Sequence, residues 1–158
     1  MVCTAAGASY LAPLQELVLS RAGLARVCAD WTHHMPALRR LDLSHNRIAE
    51  LQFADLKIQR TVANAEVELS YNPLHVVRCS REDYELARDE PVPQQSAKII
   101  MDSRLECTCR EYWLALALRE GRLPGFEPRC AAAADPAGRA LLHRPLQKLI
   151  LINKNLIK

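Results

Sequence analysis

The stretch LRRLDLSHNRI, residues 38–48, spaces its apolar residues as neither a strand nor a helix does. Leu41 and Leu43 alternate as in a strand, but the next apolar place is Ile48, with Asn46 between. A strand would keep alternating, and a helix would bring residue 45 or 46 onto its apolar face. The spacing recurs. Shifted back by 24 it falls on Leu14, Leu17, Leu19 and Leu24, with Ala22 at the asparagine place. Shifted forward by 26 it falls on Val67, Leu69, Asn72 and Leu74, with Asn64 where the first leucine belongs. Three occurrences at a near-constant period, two carrying asparagine, argue against a coincidence of leucines in a helical protein.

The pattern L-x-x-L-x-L-x-x-N-x-L, met in full at Leu38, Leu41, Leu43, Asn46 and Ile48, resembles the leucine-rich repeat. The resemblance implies an α/β solenoid, with short parallel strands on a concave face. Leu41 and Leu43 then point inward while Asp42 points outward. Asn46 and Asn72 become structural residues whose amides bond the backbone of the neighbouring coil and satisfy groups otherwise buried unpaired. Ala22 cannot make that bond, so the first ladder is weaker. The expected division is 1–97 for the repeats (14–37, 38–63 and 64–97), 98–147 for a terminal cap and 148–158 for a tail that departs from the family. Residues 75–97, with prolines, glutamines and mixed charge, read as an irregular long loop. Leu14 and Leu17 face an open end, which predicts marginal stability or association there.

The totals exclude several classes. A chain of 158 residues has room for one domain with its own core. Net charge of +3, from 21 basic and 18 acidic residues, is too balanced to imply nucleic acid. The N-terminal MVCTAAGASYLAPL has no basic n-region and is a poor signal peptide. No run approaches the roughly 18 apolar residues of a membrane helix, so membrane attachment is expected only through segments outside this chain. There is no G-x-S-x-G, H-E-x-x-H or phosphate-binding glycine loop, so neither an enzyme nor a cofactor is expected. No N-x-S/T sequon occurs.

The segment IIMDSRLECTCREYWLALALREG offers a short strand at Ile99–Met101. A short helix follows, with Trp113, Leu116 and Ala117 on one face, ending before Gly121. One residue between Cys107 and Cys109 is too few for a structural zinc site, and no metal is expected. The segment resembles the cysteine-flanked C-terminal cap of extracellular leucine-rich repeat proteins, which covers the open end of the coils. That resemblance implies a Cys107–Cys130 disulfide, and Trp113 as a structural residue laid over the last coil. Its usual fourth cysteine is missing here, so Cys109 has no later partner. Cys3 and Cys28 lie about one repeat apart, which allows either a disulfide or a pair of buried thiols. Cys79 lies in the long loop, within reach of Cys109.

The stretches QRTVANAEVELSYNPL and AKIIMDSRLECTC, with the C-x-C-x-x-x-W cap, resemble the membrane-proximal end of a Toll-type receptor ectodomain of insect type. This implies recognition without catalysis, on the extracellular side of the plasma membrane in the parent protein. The implied partner is a Spätzle-like cystine-knot cytokine, or another receptor ectodomain brought close by the ligand. The alternative is a secreted leucine-rich repeat binding protein or decoy without a signalling domain. An intracellular scaffold with reduced thiols is disfavoured by the cysteine cap.

The repeat register assigns an outward face. It holds Glu16, Val18 and Ser20, then Arg40, Asp42 and Ser44, then Glu66, Glu68 and Ser70. Asp42 should stack beside Glu68, and Arg40 beside Glu66. His45 and Tyr71 lie at the strand exits. These charges read either as a solvated face or as a docking strip for a basic partner.

Overall fold

The computed structural model describes residues 11–27, 35–57, 64–91, 97–107, 111–131, 133–134 and 140–141. Cys3, Cys28 and Cys109, and the tail 148–158, lie outside the described residues, so the pairings expected for those cysteines do too.

Three-residue strands recur where the leucine spacing alternates. They are β1 (Glu16–Val18), β2 (Arg40–Asp42) and β4 (Glu66–Glu68). With β6 (Lys98–Ile100) they form one parallel sheet in the order β1-β2-β4-β6. The strand expected at Ile99–Met101 therefore begins one residue earlier. The central residues Leu17, Leu41, Val67 and Ile99 lie side by side in register. Leu38, Leu41, Leu43 and Ile48 are each at most 1 % exposed, as the uneven spacing requires. Leu14, Leu17 and Leu19, at the β1 edge, are only partly buried.

Two buried asparagines tie the coils together. Asn46 Nδ2 donates to the carbonyls of Leu19 (2.9 Å), Leu43 (2.8 Å) and Ser44 (3.2 Å), and its Oδ1 accepts from Leu24 N–H (3.0 Å). Asn72 repeats this one coil on, donating to Leu43 and Leu69 (both 2.9 Å) and accepting from Ile48 N–H (3.1 Å). Each amide closes backbone groups of its own turn and of the preceding one. The fourth coil has no such asparagine, and Ser103 Oγ is buried there without a partner among the described residues.

A second parallel pair lies farther along the second and third coils, unforeseen in the sequence. β3 (Glu50–Gln52) pairs with β5 (Val76–Arg78), placing Leu51 beside Val77. Arg78 binds Glu50 through two bonds of 2.8 Å, and this guanidinium holds the Glu50 carboxyl below its usual range. A 3-10 helix (Phe53–Lys57) follows β3 and buries Phe53 and Leu56.

The expected irregular loop 75–97 is a correction. Besides β5 it contains a nine-residue helix, α1 (Arg81–Asp89). Ser80 opens it with a reciprocal capping box: the Ser80 side chain accepts from Asp83 N–H, and the Asp83 carboxylate accepts from Ser80 N–H. Only Tyr84 and Ala87 of α1 are buried, so its apolar period is nearly silent in the sequence.

α1 packs on α2 (Tyr112–Arg119). Here the expectation of one apolar face is also corrected: Leu114 to Leu118 are all buried. Trp113 is partly buried and its ring meets Tyr84 of α1 (5.5 Å between centroids) and the edge of Tyr112 (5.0 Å). Tyr84 Oη donates to the Glu120 carboxylate (2.9 Å), and Arg122 donates to the Ala87 and Glu90 carbonyls at the end of α1. Burial, together with the Glu120 carboxylate beside it, pushes the Tyr84 hydroxyl pKa up.

The chain beyond α2 closes the sheet. Gly125, at φ +83°, turns its carbonyl to accept from Ile99 N–H (2.9 Å) of β6. Leu105 bridges the Cys130 region, and Cys107 and Cys130 form a disulfide. A short antiparallel pair, β7 (Ala133–Ala134) with β8 (Ala140–Leu141), follows.

Two variants test this frame. Asn72→Ala strips the buried Leu69 carbonyl and Ile48 N–H of this partner and leaves the Leu43 carbonyl with Asn46 alone, and should lower unfolding free energy by about 3 kcal/mol in denaturant titration. Asp55 is buried and accepts from Gln52 N–H (2.7 Å); burial pushes its carboxyl pKa up, so its ionised form opposes folding. A raised folded-state pKa contributes stability below the unfolded value, and loses it as pH rises through the folded value. Asp55→Asn should therefore raise the melting temperature near neutral pH. The gain should shrink as pH falls into the carboxylate range.

Candidate recognition surface

The outward residues of the main sheet line up in rows across the strands. The first row runs Glu16, Arg40, Glu66, Lys98, alternating in charge. Arg40 reaches back to Glu16 (3.2 Å), an exposed pair of little energetic weight. The second row runs Val18, Asp42, Glu68, Ile100, so two carboxylates lie between two aliphatic side chains. Arg40–Glu66 and Asp42–Glu68 are register neighbours, and Arg40 makes its ion pair with Glu16.

Both second-row carboxylates turn toward the strand exit. Asp42 Oδ1 accepts from Ser44 N–H and Glu68 Oε1 from Ser70 N–H, each at 2.9 Å. Burial pushes the Asp42 carboxyl up, but the Ser44 hydroxyl and N–H, with Arg40 and His45 nearby, outweigh it. Asp42 is held below the usual carboxylate range.

After each strand the chain turns through a left-handed residue: Arg21 (φ +57°), His45 (φ +54°) and Tyr71 (φ +59°). None is glycine, and each conformation costs on the order of 1 kcal/mol. The turn aims each N–H at the next coil. Arg21 donates to the Ser44 carbonyl, His45 to the Ser70 carbonyl and Tyr71 to the Asp102 carboxylate. It also stacks the side chains: the His45 and Tyr71 rings lie 4.3 Å apart and 7° from parallel. Tyr71 remains 65 % exposed, the most open large ring among the described residues.

Of the sequence-assigned surface residues, Glu16, Val18, Arg40, Asp42, Glu66 and Glu68 come from one sheet face and His45 and Tyr71 from its exit turns, whereas Ser44 is buried. Lys98, Ile100 and Asp102 extend that face and were missed. Their signal was the inward pair Ile99 and Met101, masked because the insertion 75–97 breaks the repeat period. A double-mutant cycle on His45→Ala and Tyr71→Ala should return a coupling of about 0.5–1.5 kcal/mol in unfolding free energy, the range for stacked rings.

Known proteins bear on this geometry at one place. The family model for the leucine rich repeat matches residues 12–59, the first two coils. No curated protein matches the chain. Residues 12–59 are similar to leucine-rich repeats, and the parallel sheet with its helices fits an α/β fold of that type, whose domains generally mediate protein–protein recognition.

Proposed function

We propose that this chain is the recognition part of an extracellular receptor of Toll type, binding a protein ligand through the outward sheet face. The observation that carries the reading is the Cys107–Cys130 disulfide, which closes a helical cap onto the end of the stacked coils. Such bonds persist in oxidising compartments, and a capped repeat stack offers a rigid, preformed surface. No described helix is long and apolar enough to cross a membrane. The partner implied by the resemblance is a cystine-knot cytokine of the Spätzle type. A second receptor ectodomain is then brought against the cap.

The test uses protein made through a secretory route. Peptide mapping without reductant should recover Cys107 joined to Cys130. A purified Spätzle-type cytokine should bind this protein, with affinity falling at least tenfold in Glu68→Lys, which reverses one carboxylate of a docking strip. Free thiols at both cysteines in folded protein, with no cytokine binding, would overturn the reading.

A further inference from the structure

We infer that Tyr71 and Asp102 form a seat for one arginine side chain of a protein partner. The inference rests on the reading of the sheet face as a recognition surface and names the chemistry of its partner. His45 covers one face of the Tyr71 ring. Continuing the β4–β6 register places Ser103 opposite Tyr71 on the other side, and no ring among the described residues covers the second face. Asp102 stands at that side. Its Oδ1 accepts the Tyr71 N–H at 2.9 Å, which ties a carboxylate to the residue that bears the ring. Asp102 is exposed and makes no other hydrogen bond among the described residues, leaving Oδ2 open.

The surrounding charge selects the occupant. Both cations of the sheet face, Arg40 and Lys98, sit in the first row, at the far end of the strands. From the second row onward β2 and β4 carry the carboxylates Asp42 and Glu68, and Asp102 follows β6; the cations at this end are Arg21 in the β1 exit turn and Arg104 two residues beyond Asp102. Asp42 and Glu68 are committed to Ser44 and Ser70, so they add potential while Asp102 supplies the bond. A planar guanidinium stacks on an aromatic face while forking to a carboxylate, which an ammonium group cannot do. A single open carboxylate is too little for a metal ion.

The test compares three blocked pentapeptides that differ only in a central arginine, lysine or neutral citrulline, titrated into the folded chain. Binding is read by NMR at the Tyr71 ring and the Asp102 amide. The arginine peptide should bind best, with about tenfold weaker binding for citrulline and for the variants Tyr71→Ala and Asp102→Asn. Asp102→Asn retains an acceptor for the Tyr71 N–H, so the turn is kept while the charge is lost. Equal binding of arginine and citrulline, or arginine binding indifferent to both variants, would remove the seat. A Spätzle-type cytokine that binds the wild type and both variants equally also removes the seat but leaves receptor recognition standing. Absence of cytokine binding, with the arginine preference intact, supports the seat and removes only the receptor assignment.

Discussion

The buried asparagine amides are the constraint on which the other features depend. At each strand exit the chain turns while still inside the core, and its carbonyls there face no water. Asn46 and Asn72 answer that need for their own turn and for the coil before, so each coil is held at one height on its neighbour. Because the coils cannot slip, the three-residue strands pair in a single register. Because the register is single, outward side chains fall into rows.

Where the amides stop, other devices take over. At the strand exit the Tyr71 N–H of the third coil meets a side chain of the fourth, Asp102, in place of a backbone carbonyl. Its far edge is closed by the Gly125 carbonyl, the Leu105 bridge and the Cys107–Cys130 disulfide. Helix α1, inserted between β4 and β6, is bound to α2 and the turn after it through the Tyr84–Glu120 bond and the Arg122 contacts at its end. The two helices thus pack together, with Leu114 to Leu118 buried.

The surface inherits this order. A row that alternates in charge offers little net field, whereas the next holds two carboxylates between Val18 and Ile100. Left-handed turns at Arg21, His45 and Tyr71 spend backbone strain to aim N–H groups at the next coil, and the same strain presents an exposed aromatic stack. The proposed basic protein partner rests on these carboxylates beside an exposed ring.

What the sequence determined by itself was the repeat. Leu41 with Leu43, and Val67 with Leu69, show inward alternation within a few residues, and an asparagine three places beyond each pair reports the turn. Those signals are local, so they were legible, and with them the outward residues from Glu16 to Tyr71. The Cys107–Cys130 pairing was legible only through family resemblance. Tertiary structure alone decided the rest. The β3–β5 pair exists because Leu51 and Val77 meet across a repeat, and α1, though the Ser80–Asp83 capping box starts it locally, is held in place because Tyr84 finds Glu120 thirty-six residues away. Lys98, Ile100 and Asp102 join the surface because β6 pairs with β4 across an insertion that hides the period. In each case the stabilising partner is distant along the chain, and a window on the sequence holds only half of the interaction.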